Sequence, residues 1–167
     1  MAEPRVSITF VCMGNICRSP TAHGVMRHKL REAGLADRVA VSSAGTHAWH
    51  EGEPPDPRSQ QHARRRGYDL ADLRARRLLE QDFERSHLVL VMDWDNMALA
   101  EELCPPQHRT RLRRLTEFCR RFDAPVVPDP YAGGPAGFEH VLDLVEDACE
   151  GLLEHLRGGI LRTGPGV

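Results

Sequence analysis

The sequence predicts an α/β fold in which helices cover a parallel sheet, and three observations carry that prediction. Apolar, β-branched runs recur at "RVSITFVC" (5–12), "RVAVSSAG" (38–45) and "HLVLVMD" (87–93). Segments with apolar residues at helical spacing separate them. The third run is almost continuously apolar, as a parallel strand covered on both faces must be. Strands joined through helices pair in parallel by right-handed crossovers, and such sheets bind ligands beyond the carboxyl ends of their strands.

Taken in order, the first strand ends at Cys12 and runs into "MGNICRSP". Pro20 suits the first turn of a helix beginning near Ser19. Ala22, Val25, Met26 and Leu30 then keep one face apolar, and Gly34 closes the helix. After the second strand comes a loop with Trp49 and "GEPPDPRS", in which Asp56-Pro57 opens a helix through "RSQQHARRRG". "WDNMALAEEL" follows the third strand as a helix and stops at Pro105-Pro106. "RTRLRRLTEF" (109–118) fits a short strand or a helical turn equally well. "APVVPDPYAGGPAG" (124–137) is too rich in Pro and Gly to be other than a loop. "FEHVLDLVEDACEGLLEHLR" (138–157) is the clearest helix, with Val141, Leu144, Val145, Ala148, Leu152 and Leu156 on one face. A single domain over 1–157 with a flexible tail at 158–167 is the expected organisation.

Composition narrows the function. With 41% hydrophobic and 28% charged residues the chain has the balance of a soluble globular protein. A net charge of −2 argues against a general nucleic-acid binder. The basic clusters "ARRRG", "RARR" and "RTRLRR" read as solvated faces, or as a field that steers anionic substrates. No apolar run reaches the roughly 18 residues of a membrane helix, and "MAEPRVSITF" lacks a signal-peptide layout, so the expected compartment is the cytoplasm. The five cysteines (12, 17, 104, 119 and 149) are scattered and odd in number, unlike a secreted disulfide framework. Cys104, Cys119 and Cys149 read as reduced thiols. His47 and His50 flank Trp49, but no third ligand has matching spacing, so no metal and no cofactor are expected.

The chemistry concentrates between strand and helix. Gly14 and Asn15 are the residue types that most readily take unusual backbone angles, and a loop folding back there (Met13, Gly14, Asn15, Ile16, Cys17) points amide N–H groups inward as an anion nest. The start of the following helix adds its positive end, and Arg18 adds a planar fork for two phosphoryl oxygens. The same field favours a thiolate at Cys12, to which the Ser19 hydroxyl can donate. Cradle and nucleophile are thus one loop. No Gly-Lys-Ser/Thr follows, which excludes a Walker-type loop. Phosphoryl transfer to cysteine also needs a proton for the departing oxygen. Asp129, between two prolines in "VVPDPYAGG", can supply it, although a plain Asp-Pro turn has the same local pattern. Asp93 and Asp95 are the next choices.

These residues resemble the low-molecular-weight protein tyrosine phosphatases over about residues 5–157, through "VCMGNICRSP", "SSAG" with the nearby "WHEG", "DPR" at 56–58, "VMDWDN" at 91–96 and "PDPYAGG". The resemblance implies a four-stranded parallel sheet with helices on both faces and the phosphate loop between strand 1 and helix 1. It also implies a metal-independent reaction through a phosphocysteine. Cys12 would attack phosphorus, Arg18 bind the equatorial oxygens, and Asp129 protonate the leaving phenol and then activate water. Asn15, Ser19 and Ser43 match positions whose hydrogen bonds hold the loop and thiolate. Met13, Trp49 and Tyr131 match the walls of an aryl-phosphate slot. Cys17 matches a cysteine that can pair with the nucleophile under oxidation. The implied partners are phosphotyrosine proteins, met by a monomer.

Three residues depart from that pattern. Leu73 stands where a loop-bracing histidine is common, Ala132 where a second tyrosine is common, and His23 where glutamate is frequent. Two other readings compete. An arsenate reductase on the same fold would need a relay of thiols, for which Cys104 and Cys119 are poorly spaced. A non-catalytic phosphate-binding module would need neither the nucleophile nor the acid.

Overall fold

The computed structural model describes residues 6–159. Four parallel strands form one sheet: β1 (Val6–Cys12), β2 (Val39–Gly45), β3 (Leu88–Val91) and β4 (Leu112–Arg114), in the order β2-β1-β3-β4. Five α-helices pack on it: α1 (Arg18–Glu32), α2 (Pro57–Arg65), α3 (Glu80–Arg85), α4 (Trp94–Leu103) and α5 (Pro135–Gly158). The expected α/β class, parallel sheet and loop between β1 and α1 are all present.

Strand alternation sorts the core into two layers. Val6, Ile8, Phe10 and Cys12 of β1, with Leu90 and Met92, join Ala22, Val25, Met26 and Leu30 of α1 and the apolar stripe of α5. Val11, Val89 and Val91 point the other way, into a smaller cluster with Phe83 of α3 and Ala100 of α4. Helices therefore cover both faces. Because β2 and β3 lie on opposite sides of β1, the connections leaving β1 and β3 diverge, and a crevice opens at their carboxyl ends.

Several boundaries differ from the sequence reading. Helix α3 was not anticipated; at six residues it is too short for a periodic signal, and it is fixed instead by Asp82, which accepts from the Leu79 amide (2.8 Å) and pairs with Arg76 (2.9 Å). The ambiguous 109–118 stretch is both things in turn: 3-10 helices over Pro106–Arg111 and Leu115–Phe118 flank the three residues of β4. The loop expected through 137 ends earlier, because Pro135 starts α5 in the position proline favours. Gly158, expected in the tail, closes α5; residues 160–167 of that expected tail lie outside the described residues.

Candidate active site

The phosphate loop leaves β1 at Cys12 and re-enters regular structure at Arg18, the first residue of α1. Of the two residues expected to take special angles, only Asn15 does, with φ of 56°. Its amide explains why asparagine serves there. Nδ2 donates to Ser19 Oγ (2.7 Å), and Oδ1 accepts from the Arg76 amide (3.0 Å). Gly14 is small for a different reason: a Cβ there would meet the His50 ring at 2.9 Å. Gly45, at the end of β2, similarly lets the Met13 carbonyl approach, since a Cβ would lie 2.8 Å from it. Beyond it, Thr46 and His47 donate their amides to Cys12 O (2.9 Å) and Met13 O (3.0 Å), so β2 braces the loop from one side.

Cys12 is buried, and its sulfur faces Ser19, with Oγ at 3.0 Å and the amide N–H at 3.4 Å. Asn15 donates to that hydroxyl oxygen, so the one hydroxyl hydrogen is left for an acceptor, with the sulfur at 3.0 Å and Ala44 O at 3.4 Å both in reach. The start of α1 aims its positive end at the same place. Arg18 is 1% exposed. Its Nη1 donates to Asp93 Oδ2 (2.6 Å) and Val127 O (2.9 Å), while Nη2 stands 3.9 Å from Asp129 Oδ2. A cation this deeply buried needs a partner, and Asp93 supplies it. Asp93 is therefore committed to Arg18 and to capping α4 through Asn96 N (2.8 Å), which removes it as an alternative acid.

Asp129 extends from the loop after Val127, with its side chain 43% exposed. Its Oδ1 accepts the Tyr131 amide (3.0 Å), so carboxylate and aromatic ring belong to one turn. Cys12, Met13, Gly14, Ile16, Cys17, Arg18, Trp49, Asp129 and Tyr131 line a single cleft of about 170 Å³, together with His50, to which the sequence assigns no role. Trp49, stacked on His47 at 4.1 Å between ring centroids, and Tyr131 are the exposed aromatic walls of the cleft.

The supporting residues divide. Ser19 and Asn15 hold the loop, but the Ser43 hydroxyl lies 3.0 Å from His23 Nδ1 rather than bonding the loop or the thiol. Burial, with Arg27 nearby, pushes the His23 imidazole down to about 4, so it is neutral at physiological pH. Leu73 is buried in the core; the bracing expected of a histidine there comes from the backbone of Arg76. Burial pushes the Cys17 thiol up to about 12, with a hydrogen bond to Ser59 acting in the opposite direction. All five cysteines are free. Among the described residues no group of His, Cys, Asp or Glu is arranged to hold a metal ion, and no helix is long and apolar enough to cross a membrane.

A thiol under donated hydrogen bonds, a buried guanidinium and a carboxylate 3.9 Å from it can together attack, hold and protonate an oxyanion ester. Residues 7–159 match the model of the low molecular weight phosphotyrosine protein phosphatase family. The chain is 42% identical to a low molecular weight protein-tyrosine-phosphatase of Streptomyces coelicolor over 156 residues, 90% of this chain and 93% of that one. It is 36% identical to the low molecular weight protein-tyrosine phosphatase A of Mycobacterium tuberculosis, covering 99% of each. The crystal structure of a protein tyrosine phosphatase from Entamoeba histolytica, with Hepes in its active site, superposes with a TM-score of 0.90 at 38% identity, covering 92% of this chain and 98% of that one. This chain belongs to the low-molecular-weight protein-tyrosine-phosphatase family.

Proposed function

We propose that the chain hydrolyses phosphotyrosine monoesters in two steps, with Cys12 as nucleophile, Arg18 as phosphate clamp and Asp129 as proton donor. Phosphate enters the loop with its oxygens on the backbone amides and the Arg18 guanidinium. The Cys12 thiolate attacks phosphorus in line with the leaving phenol, the P–O bond breaks, and Asp129 gives its proton to the phenolic oxygen. The Asp129 carboxylate then takes a proton from water as that water attacks phosphorus. The P–S bond breaks, the thiolate returns and phosphate leaves. Ser19 stabilises that thiolate as leaving group (3.0 Å). The observation that carries this reading is that Asp129, from a distant part of the chain, joins Cys12 and Arg18 of the phosphate loop in one cleft.

Two further points support it against an arsenate reductase. Neither Cys104 nor Cys119 lines the cleft, and Cys119 donates its thiol to Leu144 O (3.7 Å). The aromatic walls are of use to an aryl ester and of none to arsenate. The proposed setting is a monomer, one domain over 1–157, acting on phosphotyrosine proteins in a reducing cytoplasm, which five free thiols suit.

The test is rapid-quench trapping with a labelled aryl phosphate. The label is expected on Cys12, and Cys12→Ser is expected to lose turnover while still binding inorganic phosphate. A phosphohistidine or phosphoaspartate would overturn the assignment.

A further inference from the structure

Arg58 is held in a geometry that binding and attack do not require. Its Nε and Nη2 donate to the Asp56 carboxylate at 3.1 and 2.9 Å, a two-pronged pair that fixes the guanidinium plane. Burial alone would raise the Asp56 carboxyl, but this pairing and the Arg58 amide outweigh it and hold the group ionised below the usual carboxylate range. The fixed plane lies over two rings, Phe138 at 4.7 Å and Tyr131 at 5.3 Å from their centroids.

The two ends of this clasp have different anchors. At one end, Phe138 packs against Ile16 and Cys17 of the phosphate loop, and the Asp56 amide donates to Ile16 O (2.8 Å). At the other, the Tyr131 amide donates to Asp129 Oδ1 (3.0 Å), so a displaced Tyr131 carries the carboxylate with it. Tyr131 is 51% exposed; the buried Pro130 before it faces Gly137 of α5 and seats the backbone of the turn, while the Tyr131 ring has Arg58 as its stacking partner.

We propose that Arg58 is a positioning residue for proton transfer: it ties the Asp129–Tyr131 turn to the back of the phosphate loop and sets where the acid stands relative to the leaving oxygen. The proposal rests on Asp129 being the proton donor. Arginine suits the task because one planar group can be gripped at its edge and stacked on its faces; lysine keeps only the charge.

The experiment is a double-mutant cycle of Arg58→Ala and Asp129→Asn, read on phosphotyrosine and on p-nitrophenyl phosphate, whose acidic leaving group needs little protonation. Inorganic-phosphate inhibition and thermal unfolding are measured for each variant. Misplacing a reacting group by about 1 Å can cost 10²-fold. Arg58→Ala should therefore lower kcat on phosphotyrosine by about 10–100-fold and lose much less on p-nitrophenyl phosphate. Phosphate inhibition should stay within about twofold, because the phosphate loop is untouched. Arg58→Lys should recover part of the loss. In the double variant Arg58→Ala should add nothing to Asp129→Asn, since it acts only through that carboxylate.

Equal losses on both substrates, multiplicative losses in the double variant, or no loss at all would overturn the proposal. If Arg58→Ala fails to fold, Arg58→Gln, which removes the charge and the two-pronged fork gripped by Asp56, takes its place in the cycle under the same criteria. Should Asp129→Asn itself show no dependence on the leaving group, the acid assignment fails and the positioning role falls with it. A leaving-group dependence in Asp129→Asn but not in Arg58→Ala removes the positioning role alone.

Discussion

The loop from Cys12 to Arg18 is buried at Cys12 and from Asn15 onward, with Asn15 and Arg18 both engaged in hydrogen bonds, whereas the loop after Val127 leaves Asp129 and Tyr131 about half exposed. The first is braced by β2 through Thr46 and His47, by Arg76 through Asn15, and by Asp93 through Arg18. The second is pinned at its root, where Val127 bonds Met92 (2.8 Å) and Arg18 (2.9 Å), and beyond that by the buried Pro130, the Asp129–Tyr131 turn and the Arg58 stack. The contrast follows from the tasks. Holding a dianion requires donors fixed before it arrives, since moving them during reaction costs reorganisation energy. In the proposed mechanism Asp129 delivers a proton and then meets water in the second step, a task its exposure suits.

If the phosphate loop is structural as well as functional, perturbing it must cost stability. Asn15→Ala places a Cβ residue without a helpful side chain in the left-handed region and orphans the Ser19 and Arg76 contacts. A loss of about 2–4 kcal/mol in chemical denaturation is expected, along with weaker inhibition by phosphate. Asn15→Gly should lose only the side-chain share. Asp129→Asn, on the exposed loop, should change stability by less than about 0.5 kcal/mol. Equal stability costs at the two loops would break the comparison.

A smaller effect sharpens it from behind the phosphate loop, where α1 holds a neutral His23 against Ser43. The unfolded chain takes up a proton at the ordinary histidine value near 6.5, while the folded protein refuses it until about pH 4. The unfolded state thus binds more protons across that window, so stability is full above about pH 6.5 and falls as pH drops toward 4. The loss attributable to this group is of order 2–3 kcal/mol, and His23→Gln should flatten that part of the stability profile. Parallel profiles for the two proteins would show that His23 does not carry the slope.

How much of this could be read in the sequence follows from the range of each interaction. The Cys12–Arg18 loop was legible because strand, Gly-Asn, arginine and helix start are contiguous. Ser19 facing the sulfur follows from the same short span. Asp129 had only a proline-flanked loop and the need for an acid to announce it, and the resemblance implies the same role. Asp93 as the partner of Arg18, and Arg58 as the support of Tyr131, left no local trace: each pairing joins elements that only the folded sheet brings together. The partner of the Ser43 hydroxyl, His23 Nδ1 at 3.0 Å, likewise lies on another element and left no local trace.

The division between a holding loop and a protonating loop is tested most directly by Asp129→Asn with two leaving groups. Turnover of phosphotyrosine should fall by about 10²–10⁴-fold, with far less loss on p-nitrophenyl phosphate and an unchanged inhibition constant for inorganic phosphate. A loss of equal size on both substrates, or a weakened grip on phosphate, would contradict it.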